Sequence, residues 1–120
     1  MRREKAIREV ITRKRGATWL LPVRLTQKGA DWANCSFLMQ IKASPTATEI
    51  LKEITPEPTV DQDEQGRATA LLPIRFEAVD TAQFPLGKLY ADLRVTRETG
   101  DVQYPVEWLI TNRISITTPV

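Results

Sequence analysis

The chain has 120 residues, of which 42% are hydrophobic and 27% are charged, a composition that fits one globular domain and excludes a disordered chain. Histidine is absent and the five glycines are scattered singly, which removes the commonest general base, the commonest metal ligand and any glycine-rich phosphate loop. The single cysteine, Cys35, excludes an internal disulfide framework and fits a reducing cytoplasm. No apolar run approaches the ~18 residues of a membrane span. We therefore predict no catalytic residue, cofactor, metal site or membrane contact.

The positive charge is concentrated at the N-terminus. Residues 1–15 carry seven positive and two negative side chains, whereas the remaining residues carry ten positive and thirteen negative ones. A basic arm on a mildly acidic body predicts docking onto a neighbouring acidic surface or onto another copy of the chain. A solvated tail and the binding of nucleic-acid phosphates are the alternatives.

Two structures compete for residues 2–14. A short helix would place four apolar side chains on one face and would have two i,i+4 ion pairs, Glu4–Arg8 and Glu9–Arg13. The apolar positions are Ala6, Ile7, Val10 and Ile11. The β-branched run from Val10 to Thr12 equally predicts the start of a strand, and Gly16 ends either element.

Alternation of apolar residues predicts strands from Thr18 onward. The first inward-facing set is Trp19, Leu21, Val23 and Leu25, and the second is Cys35, Phe37, Met39, Ile41 and Ala43. Pro22 cannot donate to a ladder, so the first strand is predicted either to lie at an edge or to have an unpaired N–H side at that position. Residues 27–31 between the two strands are predicted to form a hairpin-type turn.

The middle of the chain contains shorter elements. Residues 49–55 fit a short strand around Ile50, Leu51 and Ile54, with a helix as the alternative, and residues 61–66 form a polar turn. A further alternating set comprises Ala68, Ala70, Leu72 and Ile74, and residues 77–83 have the spacing of a single helical turn. The carboxylates of Asp61, Asp63 and Glu64 lack the twelve-position pattern of a calcium loop.

The C-terminal part gives the clearest strand. After the turn at residues 84–87, the apolar set Leu89, Ala91, Leu93 and Val95 alternates with Tyr90, Asp92, Arg94 and Thr96. A hairpin over residues 98–101 leads to a last strand with Val102, Tyr104, Val106, Trp108 and Ile110, which the pattern extends to Ile114 and Ile116. About seven short strands with turns between them predict an all-β, antiparallel, immunoglobulin-like sandwich over residues 16–120, preceded by the basic arm 1–15.

Two aromatic residues are candidates for partner contacts. Trp32 follows the Gly29 turn outside any alternating set, so it is either an interface anchor or a cover for one end of the sandwich. Tyr90 points away from the apolar set of its strand, beside Asp92 and Arg94. The complete set of predicted partner-binding residues is Arg2, Arg3, Lys5, Ile7, Arg8, Ile11, Arg13, Arg15, Trp32, Tyr90 and Arg94.

Four blocks of sequence occur in a characteristic order. They are Arg15-Gly16-Ala17-Thr18-Trp19, the strand over residues 35–42, the helical turn with Thr81, and Phe84-Pro85-Leu86-Gly87 followed by Tyr90, Asp92 and Leu93. Together they resemble a family of small structural proteins of tailed bacteriophages and are similar to the N-terminal domain of the phage upper baseplate protein, over roughly residues 15–117. Leu89, where that pattern usually has an aromatic residue, and Glu107-Trp108, where it has a glycine, depart from it.

The resemblance implies a virion component without enzymatic activity, assembled in the host cytoplasm. It would be an adaptor or anchor subunit of the tail or baseplate, present in several copies and docked to other virion structural proteins. A capsid cement or decoration protein that binds the major capsid protein is the first alternative. A nucleic-acid-binding accessory protein is the second alternative, and an enzyme is the last.

Overall fold

A computed structural model describes residues 7–116 of the chain. Within that range it contains ten strands and one short α-helix, together with a 3-10 turn at Trp32–Asn34. The strands are β1 (Ile7–Lys14), β2 (Trp19–Leu20), β3 (Val23–Lys28), β4 (Ser36–Lys42), β5 (Lys52–Ile54), β6 (Thr59–Gln62), β7 (Arg67–Leu72), β8 (Arg75–Phe76), β9 (Gly87–Thr96) and β10 (Val102–Arg113). Helix α1 spans Ala78–Thr81, at the place where the sequence predicts a single helical turn.

The strands pack as a sandwich of two layers. One layer is a five-stranded sheet in the order β1-β10-β9-β4-β5. The other contains the three-stranded sheet β3-β7-β6 and the two-stranded sheet β2-β8. Pro22 and Pro73 separate these two sheets, since neither residue has a backbone N–H for the ladder, and the Leu21 N–H donates to the Ile74 carbonyl at 2.9 Å between them. The predicted all-β sandwich is confirmed.

The core consists of the predicted alternating positions. Side chains from both layers are at most 9% exposed at Trp19, Leu21, Val23, Leu25, Phe37, Met39, Ile41, Ala68, Ala70, Leu72, Ile74, Leu89, Ala91, Leu93 and Val95. Trp19, Phe76 and Phe84 form an aromatic cluster with ring centroids 5.5–6.0 Å apart. The period of two therefore gave the correct inward face within each of these strands. Of the other two positions predicted to face inward with β4, Cys35 is half-buried and Ala43 is exposed, and both lie just outside the strand.

The predicted N-terminal helix is wrong for the described residues. Residues 7–14 form β1, which pairs in parallel with β10 from Ile7 opposite Val106 to Lys14 opposite Arg113. A helix of under four turns is marginal alone, whereas β1 pairs its backbone with β10 and packs Ile11 against the core. The strand alternative for Val10-Ile11-Thr12 is therefore confirmed. Residues 1–6, which include Arg2, Arg3 and Lys5, lie outside the described range.

Two further predictions need correction. The turn at residues 27–31 does not close a hairpin, because β3 and β4 belong to different layers; the Gly29 N–H instead donates to the Gly66 carbonyl at 3.0 Å. The last strand ends at Arg113, and Ile114 and Ile116 are 70% and 93% exposed. Its pairing shifts register between Gln103 and Val106, around Pro105, so Val102 and Tyr104 remain about half exposed.

Candidate functional site

Three of the four blocks that carry the phage resemblance meet at one structural junction. The Thr81 hydroxyl donates to the Ala17 carbonyl at 2.7 Å and accepts from the Gly16 N–H at 3.1 Å. Arg15 Nε donates to the Ala82 carbonyl at 2.9 Å, just beyond α1. These contacts attach the segment after β1 to the segment after β8.

The same junction holds the turn before β9. Asn112, which is 2% exposed, donates through Nδ2 to the Pro85 carbonyl at 3.0 Å and to the Phe84 carbonyl at 3.4 Å. Gly87 at the start of β9 has a φ of +102°, a conformation that L side chains rarely adopt. These junction contacts hold the fold together, and the candidate site lies farther along β9 and its neighbouring strands.

The outer face of the five-stranded sheet contains a groove of about 350 Å³, which we call the outer-face groove. It crosses β4, β9, β10 and β1. Its lining residues are Arg8, Leu38, Gln40, Lys42, Ser44, Pro45, Tyr90, Ala91, Asp92, Arg94, Tyr104, Glu107, Trp108 and Leu109. The lining thus combines two tyrosines with charged groups of both signs.

A row of polar side chains crosses the groove from one sheet edge to the other. The strand register places them in the order Arg8, Glu107, Asp92, Gln40 and Glu53. Arg8 Nε donates to Glu107 Oε1 at 2.9 Å, and Gln40 Nε2 donates to Glu53 Oε2 at 2.9 Å. Asp92 lies between these two bonded pairs.

Asp92 is the electrostatically perturbed member of the row. Partial desolvation by the groove walls raises its pKa above the ordinary value, and the facing Glu107 carboxylate raises it further. Lys42 and Arg94 act in the opposite direction. Asp92 and Glu107 stand on directly opposed residues, where two carboxylates repel each other. Because Arg8 is paired with Glu107 while Lys42 and Arg94 act on Asp92, the groove presents charges of both signs.

The rows on either side supply apolar and aromatic surface. Tyr90 lies opposite Leu109 on β10 and opposite Lys42 on β4. On the other side of the polar row, Arg94 lies opposite Leu38. A half-buried tyrosine beside aliphatic and cationic groups is the composition typical of a protein interface.

Of the eight predicted partner-binding residues within residues 7–116, the structure brings three together and places five elsewhere. Arg8, Tyr90 and Arg94 all line the outer-face groove. The side chains of Ile7, Ile11 and Arg13 lie on the inner face of the sheet, opposite to the groove. Their register partners on β10, which are Val106, Ile110 and Asn112, are buried. Arg15 is bonded within the junction.

Trp32 is a core residue and not an interface anchor. It is 4% exposed, and its indole Nε1 donates to the Ala68 carbonyl at 2.8 Å. The guanidinium of Arg97 stacks 4.4 Å from its ring centroid and donates to Gln27 Oε1 at 2.6 Å. Trp32 therefore closes one end of the sandwich, as the second of its two interpretations predicts.

The remaining groove residues were missed in the sequence. Gln40, Lys42, Asp92, Leu109 and Glu107 occupy outward positions of strands whose inward positions were recognised. Alternation indicates that such side chains point outward, but not which strands are neighbours. The pairing of β1 with β10, about a hundred residues away in sequence, gives no local signal.

The acidic hairpin has a structural explanation. Asp63 Oδ1 accepts the Arg67 N–H at 2.8 Å and the Gln65 N–H at 3.0 Å. The backbone hydrogen bond from Arg67 is the main cause that lowers the pKa of Asp63.

Between residues 7 and 116, no group of three or more aspartate, glutamate and cysteine side chains is arranged to hold a metal ion. In the same range, no helix has the length and apolar character to cross a membrane.

Comparison with known proteins adds little to this geometry. No protein family matches the chain, and no curated protein matches it. Among solved structures, CopC from Methylosinus trichosporium OB3b is similar at 13% sequence identity, with 84% of this chain and 100% of that chain covered and a TM-score of 0.36. A likeness at that TM-score supports no inference about this chain.

Proposed function

We propose that this chain is a non-enzymatic structural protein of a tailed bacteriophage, an adaptor or anchor subunit of the tail or baseplate. It docks onto a neighbouring virion protein through the outer-face groove. The order of the sequence blocks around residues 15–19, 35–42 and 84–93 supports the phage assignment. The convergence of Arg8, Tyr90 and Arg94 on the groove is the observation that carries the docking role.

The chemistry of the groove favours a protein partner. Tyrosine and arginine are the residue types most often found to dominate protein-binding energy, because they bury large areas while retaining hydrogen-bonding groups. All the lining side chains except those of Ser44 and Pro45 stand on paired strands, so binding costs little backbone ordering. The groove carries three cationic side chains, Arg8, Lys42 and Arg94, and the two carboxylates of Asp92 and Glu107. Charges of both signs are therefore available to orient a protein partner.

The test is incorporation into phage particles. The phage that encodes this chain is propagated with tagged wild-type protein or with a variant, and purified particles are separated into heads and tails before immunoblotting. Wild-type protein is expected in the tail fraction. Replacement of Tyr90 or Arg94 by alanine is expected to reduce incorporation by about tenfold or more, the effect of removing one dominant interface side chain.

Arg24→Ala is the matched control. Arg24 is an exposed arginine on β3, in the opposite layer of the sandwich, so its removal should leave incorporation unchanged. Equal losses in the Arg94→Ala and Arg24→Ala variants would contradict docking through the groove. Wild-type protein in the head fraction would indicate a decoration protein, and its absence from particles would overturn the virion role.

A further inference from the structure

Strand β1 presents an open edge of the five-stranded sheet. Within residues 7–116 it pairs with β10 alone, along eight residues that include neither proline nor glycine. An unpaired edge strand of this length is a template for another strand, unless charged or kinked residues protect it.

The free edge exposes the backbone of the even-numbered residues up to Thr12, whereas the Lys14 carbonyl accepts from Trp19 Nε1 at 2.8 Å and from the Ala17 N–H at 3.2 Å. The Arg15 N–H donates to the Arg113 carbonyl at 2.8 Å, in line with the β1–β10 register. Backbone direction alternates along a strand, so Arg8, Val10 and Thr12 direct their N–H and C=O groups away from β10. The Thr12 carbonyl accordingly accepts a bond from Arg13 Nη1 at 3.0 Å, which covers part of the edge.

The charges of β1 are arranged symmetrically about Ile11. Glu9 lies two residues before it and Arg13 two residues after it. Glu9 Oε2 also accepts from Trp108 Nε1 at 3.2 Å, and a carboxylate has lone pairs for a further donor. If a second copy of β1 pairs antiparallel with Ile11 opposite Ile11, each Glu9 stands opposite an Arg13 of the other copy. A shift that centres the pair on Val10 places Glu9 opposite Ile11 and removes both charge pairs. A shift that centres it on Thr12 places Glu9 opposite Arg15, whose side chain is already bonded to the Ala82 carbonyl, so the charge pattern favours the register centred on Ile11.

The backbone pattern agrees with that register. Val10 and Thr12 become hydrogen-bonded pairs across the two-fold axis, because both direct their backbone groups to the free edge. Ile11, Glu9 and Arg13 occupy non-hydrogen-bonded positions, where opposed side chains are closest. Arg8 comes opposite Lys14 of the other copy, but its charge is already balanced by Glu107 at 2.9 Å.

We propose that two copies of this chain associate through antiparallel β1–β1 pairing, with the two-fold axis at Ile11 and reciprocal Glu9–Arg13 ion pairs. The two five-stranded sheets then form one continuous sheet, and Arg13 exchanges its own Thr12 carbonyl for Glu9 of the second copy. The contact is isologous, as a two-fold axis requires. It goes beyond the proposed function and is independent of it, because the groove lies on the face of the sheet and not on its edge.

Sedimentation equilibrium over a range of concentrations tests the pairing. Wild-type protein is expected to dimerise reversibly. Glu9→Arg and Arg13→Glu each turn two attractions into two repulsions, and each should raise the dimer dissociation constant by about tenfold or more. An equimolar mixture of the two variants restores opposite charges at both sites and should form a heterodimer about as tightly as wild type.

Two variants at Val10 test the backbone contact separately. Its side chain is 68% exposed and its N–H faces the free edge, so Val10→Pro removes an edge donor without removing a β1–β10 bond. Val10→Ala keeps that donor and serves as the control. We expect folded monomers for Val10→Pro and dimers for Val10→Ala, with folding checked by circular dichroism.

Several results would overturn the pairing. A wild-type chain that stays monomeric at every concentration contradicts it, as does a Val10→Pro variant that is folded and fully dimeric. The Glu9–Arg13 register is wrong if the two charge-reversal variants dimerise as tightly as wild type. It is also wrong if their mixture dimerises no more tightly than either variant alone. Particle incorporation that depends on Arg94 in a monomeric protein would leave groove docking intact while excluding the dimer.

Discussion

Thr81→Val should expose the contribution of the junction to stability. Thr81 is fully buried, and its hydroxyl oxygen bonds the Ala17 carbonyl at 2.7 Å and the Gly16 N–H at 3.1 Å. Valine has nearly the same shape, so the substitution removes these bonds without opening a cavity. The Ala17 carbonyl and the Gly16 N–H, both partly buried, then lack the Thr81 hydroxyl as their hydrogen-bond partner.

We expect the free energy of unfolding to fall by about 1 to 3 kcal/mol, the cost of leaving partly buried polar groups unpaired. For a chain of this length that corresponds to a melting temperature lower by about 4 to 12 °C. Urea unfolding followed by tryptophan fluorescence gives the first quantity, and differential scanning calorimetry gives the second.

Thr69→Val is the matched control. Thr69 lies on β7, and its hydroxyl bonds that of Thr26 at 3.1 Å in an exposed position, where water can replace the lost partner. We expect a change within about 0.5 kcal/mol there, as for most surface substitutions, and Thr81→Ser should retain most of the stability of the junction. A Thr81→Val variant as stable as Thr69→Val would refute the assigned role of the hydroxyl.

Two other changes test single features of the fold and the groove. Folding raises the pKa of Asp92, so the folded state binds the Asp92 proton more tightly than the unfolded state does. The free energy of unfolding therefore falls as the pH rises from the unfolded pKa through the folded pKa. Asp92→Asn should therefore be more stable than wild type in urea at neutral pH but not in acid below both pKa values, and an equal difference at both would contradict the electrostatic origin. Gly87→Ala, at a φ of +102°, should cost about 1 to 2 kcal/mol through backbone strain alone, since no atom lies within 4 Å of the added Cβ. An unchanged urea midpoint would show that the turn relaxes freely.

The inward faces of the strands were predictable because burial fixes them. In β9, a shift of one residue would move Leu89, Ala91 and Leu93 to the outer face and place Tyr90 and Asp92 in the core. The cost of burying those polar side chains depends only on the local sequence, so alternation alone identifies the strand and its buried side. The helical turn at α1 was also predictable, because the spacing of its residues is a property of the local sequence.

The structure of residues 7–14 was not predictable in this way. The spacing of Glu9 and Arg13 supports a helix, while Val10, Ile11 and Thr12 favour a strand. What decides between them is the contact with β10, where Ile11 lies opposite Ile110. This contact joins opposite ends of the chain, and the groove that crosses the same strands could not be located for the same reason.

Strand β9 connects the junction to the groove. Its first residue follows the turn whose carbonyls Asn112 binds, its inward side chains fill the core, and its outward side chains Tyr90, Asp92 and Arg94 line the groove. The turn at residues 84–87 therefore fixes where β9 begins, whereas Tyr90 and Asp92, from the same block of the phage resemblance, line the groove that we propose as the docking surface. It follows that junction variants should weaken partner binding only as far as they unfold the chain, while groove variants should weaken it in a fully folded protein. Binding measured well below the melting temperature of Thr81→Val separates the two effects.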